Sequence, residues 1–189
     1  GSLAKAVAIP LIVQDASSYV GASIPTSFYV RLLDEFGPEK ILFKPEGAPV
    51  GPNISDLRDS SDRRAQMFDG SGGNLLIDAF RRGVIGTMPG VDLLDGIVAL
   101  WNALQSGDET TAYRIYFPIC GLVALELQAG LDGFLAIEKY LMVKRGLFAA
   151  DHRRLPNSWS LDSETQQEVD RLFEMLQHEL SASSLQSSS

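Results

Sequence analysis

The sequence predicts an α/β fold with parallel strands, followed by a region that is only helical. Short apolar segments alternate with helical patterns four times in the first 107 residues, and short connections between such segments favour parallel βα units. After Gly107 the apolar residues recur at helical spacing only. We therefore divide the chain into four βα units (1–107), a helical extension (108–182) and a polar tail (183–189) that we expect to be disordered.

The predicted strands are short and apolar. The first reads VAIPLIVQ and is β-branched or apolar nearly throughout, as expected of a strand that is covered on both faces in a parallel sheet. Glycine, proline or aspartate residues follow the strands and mark the turns that lead into the helices. The predicted strands are residues 7–14, 40–44, 66–69 and 84–87.

The predicted helices carry apolar residues on one side and suitable residues in the first turn. Pro25 suits the first turn of the first helix, and Asn53 is the predicted N-cap of the second. Asp162 is the predicted N-cap of the last helix, whose apolar residues follow the 3.6-residue period. The predicted helices are 24–36, 54–63, one that opens at 69–74 and runs through 80, then 91–105, 108–128, 131–145 and one from 162 through 180.

Composition limits the classes of function. The chain has 24 acidic and 16 basic residues and a net charge of -8 at pH 7, which argues against the basic surface of a nucleic-acid-binding protein. No apolar stretch reaches the roughly 18 residues of a membrane span, and the single Cys120 cannot form an internal disulfide. We expect a cytoplasmic protein with small-molecule or protein partners, and neither nucleic acid nor membrane as a partner.

Lys44 is the predicted nucleophile. It follows three large apolar residues at the carboxyl end of the second strand, and ligands of parallel α/β folds bind at that edge. A strand that delivers a lone amine there suits covalent carbonyl chemistry, because a deprotonated lysine attacks a ketone to form a Schiff base. The alternative is a solvated lysine whose methylene stem covers apolar surface.

Two glycine-containing turns lie at the same predicted edge, at residues 69–74 and 86–88. Glycines let backbone N–H groups approach an anion closely, so Gly70 and Ser71 are predicted to bind a carboxylate or phosphate group of a ligand. The alternative is that these turns serve only tight packing. A generic phosphate-binding α/β domain built around residues 69–74 is a further reading.

Metal-assisted and histidine-based mechanisms are poorly supported. The two histidines, His152 and His178, lie far apart in the sequence and have no ligand-like spacing. Neither follows a predicted strand, so a serine or cysteine nucleophile has no predicted histidine base. We therefore expect no metal and no cofactor.

The motifs around Lys44 resemble a known family. FKPE followed by GAPVGPNISDLRD, and then MFDGSGGNLLIDAFRRGVIGTMPG, are similar to the C-terminal half of the dihydrodipicolinate synthase and N-acetylneuraminate lyase family, from about Ala6 to about Gly146. The resemblance implies half of a TIM (β/α)8 barrel followed by helices. It also implies class I lyase or aldolase chemistry, in which Lys44 forms a Schiff base with pyruvate or another 2-oxo acid. The 2-oxo acid would contact Gly86, Thr87 and Met88.

The sequence departs from the family at the end of its first strand. The family has a proton-relaying tyrosine there, and this chain has Gln14, which cannot act as a phenol-type acid or base. We keep Gln14 as a candidate catalytic position, and expect Gln14 or Asp15 to shape the second-substrate pocket. Tyr19 could replace the tyrosine only if its loop folds back. It also stands where dihydrodipicolinate synthases have an arginine, and Ser71 stands near the acidic contacts of sialic-acid lyases, so neither family substrate is favoured.

The resemblance covers only the last four βα units of an eight-unit barrel. A half barrel exposes two sheet edges, which is a liability for an isolated chain. We therefore expect a homo-oligomer or pairing with an N-terminal half, and inactivity without that half. The alternative is a non-catalytic homologue or fragment that binds a 2-oxo acid or another anion without turnover.

Overall fold

The structure, a computed structural model, describes residues 1–17 and 21–186. The chain folds as two compact units, Gly1–Met88 and Pro89–Ser189. Among the described residues, all strands lie in the first unit and the second contains only helices. The helix that the sequence assigned to the fourth βα unit is grouped with the helices of the second unit.

The strands of the first unit are parallel, as predicted. β1 pairs with β2 in a register that sets Leu11 opposite Ile41, and β3 pairs with β4. A parallel bridge between Phe43 and Met67 connects β2 to the residue before β3. The predicted α/β partial barrel of four βα units followed by helices is confirmed. The strands are β1 (Leu11–Asp15), β2 (Ile41–Pro45), β3 (Phe68–Asp69) and β4 (Gly86–Thr87).

The first strand is shorter than the predicted 7–14. Pro10 has no backbone N–H and cannot donate to a neighbouring strand, which explains why β1 begins at Leu11. The carbonyl oxygens of Val7 and Ile9 instead accept hydrogen bonds from the Lys40 ammonium group. A short helix, α1 (Ser2–Ala6), precedes this segment and was not predicted.

The helices of the first unit cover the strands. α2 ends just before Gly37, which adopts a φ of 79° without strain because glycine has no side chain. α3 begins three residues before the predicted N-cap, so the assignment of Asn53 as the cap is wrong. The Asn53 side chain lies within the helix and donates to the carbonyl of Gly47 at 2.7 Å. The helix can begin early because Pro52 lies in the first turn, where a missing N–H breaks no intrahelical bond. These helices are α2 (Thr26–Phe36), α3 (Val50–Ser60) and α4 (Leu76–Arg81).

The second unit is built around one central helix. α6 (Glu109–Leu127) packs against α5 (Leu94–Ser106), α7 (Gly130–Lys144) and α8 (Ser163–Gln186). No described helix is both long and apolar enough to cross a membrane. The buried side of the central helix includes Ala112, Ile115, Ile119, Leu122 and Val123.

The last helix confirms its predicted cap and extends further than predicted. Asp162 Oδ1 accepts a hydrogen bond from the backbone N–H of Thr165 at 2.7 Å. The helix continues through residues 183–186, which the sequence assigned to a disordered tail. The segment has neither glycine nor proline to end it. Residues 187–189 lie outside the described part of the chain.

A pair of buried carboxyl groups lies in the core of the second unit. Asp92 precedes α5 and Glu126 lies on α6, and the two are 2% and 1% exposed. Burial raises the pKa of both groups, and the charge of Asp92 and its hydrogen bond with Glu126 raise the pKa of Glu126 further. The half-buried Glu138 adds to this effect. The pair therefore holds a proton at neutral pH, because two adjacent buried carboxylates repel each other.

This proton makes the second unit sensitive to high pH. The pKa of Glu126 is raised by folding above its unfolded value of about 4.3, so the folded state binds more protons above that pH. The stability contributed by the protonated pair is complete below that value and is lost as pH rises. Glu126→Gln keeps a neutral donor beside Asp92. We expect the variant to lose about 2 kcal/mol less unfolding free energy than the wild type between pH 5 and pH 9.

Urea denaturation followed by tryptophan fluorescence measures this difference, since both tryptophans, Trp101 and Trp159, lie in the second unit. Glu174→Gln is the matched control, because Glu174 is exposed on α8. Equal pH slopes for the wild type and Glu126→Gln would show that the pair holds no proton.

Candidate functional site

The parallel register brings the predicted Lys44 and Gln14 together at the carboxyl ends of β1 and β2. The two residues are register partners in the strand pair. Along β2, Ile41, Phe43 and Pro45 are buried, and Lys44 alternates with them. Alternate residues of a strand point to opposite faces. Lys44 and Gln14 therefore share the face opposite to the one that packs Phe43 against Tyr29, whose ring centroids are 5.2 Å apart.

Lys44 forms an ion pair with Glu46. The Lys44 Nζ lies 3.1 Å from Oε1 of Glu46, and each side chain is only 13% exposed. The other carboxylate oxygen, Oε2, accepts a hydrogen bond from the Gln14 amide. Lys44 is thus not a freely solvated lysine. Both charged groups can be this little exposed to water because each neutralises the other.

Gly70 provides the space in which the pair packs. A Cβ atom at this position would lie 1.9 Å from Oε1 of Glu46 and 2.4 Å from Cε of Lys44. Both distances are far inside van der Waals contact, so the lack of a side chain at Gly70 is a steric requirement of the pair. Contact of this glycine with substrate stays a prediction. Its contact with Lys44 and Glu46 is established.

Asp69 connects the ends of β3 and β4. Its carboxyl oxygen Oδ2 accepts hydrogen bonds from the hydroxyl groups of Ser71 and Thr87, at 2.9 and 3.2 Å. Asp69 is 1% exposed. Burial and the nearby charge of Glu46 raise the pKa of Asp69, whereas the hydrogen bonds with Ser71 and Thr87 lower it. Burial is the largest effect, and the net result is a raised pKa. Within the described residues, its Oδ1 has no hydrogen-bond partner.

The remaining predicted contact residues lie around Asp69. The backbone N–H of Met88 donates to the Asp69 carbonyl at 2.8 Å, and Gly86 packs against the Phe68 ring, which a Cβ atom would approach to 3.0 Å. The hydroxyl of Thr87 also donates to the Asp69 carbonyl. Asp69 therefore holds Thr87 and Met88, two of the residues that the sequence predicts to contact a 2-oxo acid.

The turn at 69–74 is poorly suited to a phosphate. The Ser71 hydroxyl is engaged, since it donates to Asp69 and accepts from the N–H of Leu75 at 3.0 Å. The helix that follows, α4, has only six residues, which limits its dipole. An anion bound in this turn would also meet the buried carboxyl group of Asp69.

Asp15 lies on the opposite face of β1 from Gln14, because successive residues of a strand point to opposite faces. That Gln14 or Asp15 shapes a second-substrate pocket stays a prediction. Asp15 lines a cavity of about 230 Å³ together with Tyr29 and Asn53. Its oxygens accept the backbone N–H groups of Ser17 and Ile24. Burial raises the pKa of Asp15, but hydrogen bonds from the Ser17 side chain and from these two N–H groups outweigh burial and lower the pKa. Tyr19 lies outside the described residues.

Sequence reasoning missed Glu46 and Asp69. Glu46 is part of the FKPE motif and lies two residues after Lys44, a spacing that places two side chains on one face of an extended segment. Asp69 ends its strand as Lys44 does, which was the available signal for it. Among the described residues, no group of three or more histidine, cysteine, aspartate or glutamate side chains is arranged to hold a metal ion.

The fold is similar to that of several solved enzymes. A dihydrodipicolinate synthase from Rhodopseudomonas palustris matches with a TM-score of 0.76 and 27% identity over 88% of this chain. A 4-hydroxy-tetrahydrodipicolinate synthase from Methylacidiphilum fumariolicum matches with a TM-score of 0.79 and 17% identity over 96% of this chain. A catalytic lysine mutant of a Ruminococcus gnavus sialic acid aldolase matches with a TM-score of 0.71 and 14% identity over 90%.

This chain spans little more than half the length of these enzymes. It covers 56% of the Rhodopseudomonas chain, 58% of the Methylacidiphilum chain and 54% of the Ruminococcus chain. No protein-family profile and no curated protein sequence matches this chain. The resemblance inferred from the motifs is thus confirmed by structural similarity.

The packing on Gly70 can be tested without any substrate. Gly70→Ala forces Lys44 and Glu46 apart or toward solvent, and overpacking of this kind costs about 1–3 kcal/mol of stability. We expect faster acetylation of Lys44, measured by peptide mass spectrometry, and a lower thermal midpoint. Gly121→Ala is the control, because a Cβ atom there would meet only the flexible Leu172 side chain, at 3.0 Å. Unchanged Lys44 acetylation in Gly70→Ala would contradict the observed packing.

Proposed function

We propose that this chain is a Schiff-base lyase or aldolase, because it has the partial-barrel fold of dihydrodipicolinate synthases and sialic acid aldolases. Its substrate would be pyruvate or another 2-oxo acid, and Lys44 would be the nucleophile. The observation that carries the proposal is the ion pair of Lys44 with Glu46 at a strand end, where the amine is 13% exposed. An amine that is held in place and largely shielded from water is suited to attack a bound carbonyl group.

The neighbouring strand ends support the same chemistry. The ends of β3 and β4 lie beside β2 at the same edge, so a 2-oxo acid attached to Lys44 would extend toward Gly86, Thr87 and Met88. Asp69 holds two of these residues through the hydrogen bonds of Thr87 and Met88. A preorganised wall of this kind orients a carboxylate without a metal ion or cofactor. The Ruminococcus aldolase has a catalytic lysine, as its name states, which supports lysine-based chemistry on this fold.

Turnover would need more of the barrel. Among the described residues, β1 pairs only with β2 and β4 pairs only with β3, so one edge of each strand is open. Ile12 and Ile85, on and next to these strands, are 42% and 49% exposed. Exposed apolar residues beside open strand edges favour pairing with further strands. We propose that further βα units, or a second copy of the chain, complete the site. A reducing cytoplasm stays our expectation for its location.

The second candidate function is binding of a 2-oxo acid or another anion without turnover. Gln14 favours it, because an amide at this position cannot relay a proton as the tyrosine of the family does. The two candidates differ in whether Lys44 forms a covalent bond. A binding module would retain the acid reversibly and leave the amine unmodified.

Borohydride trapping distinguishes the two candidates. We expect incubation of the chain with saturating pyruvate and borohydride to give one reduced adduct on Lys44, identified by peptide mass spectrometry. Lys44→Arg should abolish the adduct, because it keeps a cation for Glu46 and removes the nucleophilic amine. The exposed Lys5, which pairs with Glu35, supplies the control Lys5→Arg, which should leave the adduct unchanged. A wild-type chain without an adduct would overturn the lyase proposal.

A further inference from the structure

We propose that Glu46 is the acid and base of this site, and that Gln14 is the residue that positions it. This inference rests on the proposed Schiff-base function of Lys44. It assigns the proton chemistry to the end of the second strand, whereas the related family places it on a tyrosine of the preceding strand. The position of the Glu46 carboxylate, ion-paired with the reacting amine and hydrogen-bonded to the Gln14 amide, carries the inference.

Glu46 lies within the distance required for proton transfer. A general base must lie about 2.6–3.2 Å from the atom whose proton it moves, and Oε1 of Glu46 lies 3.1 Å from the Lys44 Nζ. The Gly70 backbone packs against this oxygen and against Cε of Lys44. The two groups are therefore fixed relative to each other.

The other ionisable groups of the first unit are less suited to this role. Asp69 uses one oxygen to accept hydrogen bonds from Ser71 and Thr87, and the structure records no ion pair between it and Lys44 among the described residues. Tyr29 packs against Phe43 on the opposite face of β2, where burial and the charge of Asp15 raise its pKa and keep it protonated. Within residues 1–17 and 21–88, Glu46 is the carboxylate that the structure pairs with Lys44.

The proton and electron balance can be completed with Glu46 alone. In the resting pair the ammonium group of Lys44 gives one proton to Glu46, which leaves a neutral amine and a carboxylic acid. The amine lone pair attacks C2 of the 2-oxo acid, a C–N bond forms, and the carbonyl π electrons move to oxygen. That oxygen takes the proton from Glu46, and the new C–N⁺H2 group returns one, which gives the carbinolamine and a carboxylic acid.

Dehydration then uses the same group in reverse. Glu46 donates its proton to the carbinolamine hydroxyl, the C–O bond breaks, and water leaves as the nitrogen lone pair forms the C=N bond. The products are a protonated Schiff base on Lys44, a Glu46 carboxylate and one water. The charges equal those of the resting ion pair. No oxidant, reductant or metal ion is required.

Gln14 acts on this chemistry through Glu46. Its amide donates to Oε2, which leaves Oε1 free to exchange protons with Lys44. A neutral donor at this position holds the carboxylate in place without removing its charge. A cationic donor there would compete with Lys44 for the same carboxylate.

The rate of Schiff-base formation tests the role of Glu46. Time-resolved borohydride quenching with pyruvate measures how fast the Lys44 adduct forms at each pH. We expect Glu46→Gln to reach the same final adduct about 100-fold more slowly, as for loss of a general acid or base, and with a changed pH profile. Glu46→Asp should restore part of the rate. Glu35→Gln, which removes the carboxylate of the exposed Lys5–Glu35 pair, should leave rate and profile unchanged.

A Glu46→Gln rate within twofold of the wild type, with an unchanged pH profile, would overturn the assignment. We expect Gln14→Ala to slow formation of the Lys44 adduct less than Glu46→Gln does. Its pH profile should be unchanged, because Glu46, Lys44 and Asp69 stay in place. Circular dichroism shows whether each variant is folded. If Glu46→Gln does not fold, the rate and pH profile of Glu46→Asp provide the test.

A second readout separates this inference from the proposed function. The rate of Lys44 acetylation at a fixed pH requires no 2-oxo acid. We expect this rate to rise in Glu46→Gln, because the amine loses the carboxylate that holds it in place. A wild-type chain with no pyruvate adduct, but with this increase in the variant, would overturn the proposed function and leave the Lys44–Glu46 pair intact. Absence of the increase would overturn the pair itself.

Discussion

The ion pair of Lys44 with Glu46 can exist only because three neighbouring strand ends meet at one edge. β1 contributes the Gln14 amide, β2 contributes Lys44, and the segment after β3 contributes the bare backbone of Gly70. Two charges with 13% exposure lose much of their hydration, and this loss is offset only when each has a partner at close range. The parallel alignment of strands supplies these partners from residues that are distant in sequence.

Asp69 has a comparable role at the other end of the site. β3 and β4 have two residues each, so their backbone pairing alone is too short to fix the loops that follow. The Asp69 carboxyl and carbonyl groups add hydrogen bonds to Ser71, Thr87 and Met88. A buried carboxyl group is costly to move when one of its oxygens accepts several hydrogen bonds, because displacement would leave that oxygen unpaired as well. The short strands thus gain rigidity where a ligand would need it.

The sequence predicted those features that depend on local patterns. Alternating apolar and helical segments gave the parallel α/β class, the position of Lys44 at a strand end and the Asp162 cap, because each is determined by residues close in the chain. It did not predict contacts that depend on register. The pairing of Gln14 with Glu46 joins two residues that are 32 positions apart, and the buried contact of Asp92 with Glu126 likewise joins the segment before α5 to the next helix, α6.

Local preferences also failed where a tertiary contact was stronger. Asn53 has the side chain of a good N-cap, yet its amide binds the Gly47 carbonyl, and α3 begins before it. The six residues 181–186 have a polar composition typical of disorder, yet they continue a long helix that is anchored by Val169, Phe173 and Leu176 in the core. In both places the favourable packing of the preceding or following segment decides the backbone conformation.

Gln14 has a different meaning once its partner is known. In the sequence, Gln14 stands where the resembled family has a proton-relaying tyrosine, and this difference argues against catalysis. In the folded chain it binds the carboxylate that pairs with Lys44, so the exchange of tyrosine for glutamine accompanies a carboxylate placed beside the amine. If Glu46 moves the protons, a phenol at position 14 is redundant and an amide is preferable, because it holds Glu46 in place without titrating. The departure from the family pattern is then a consequence of where the acid and base lie.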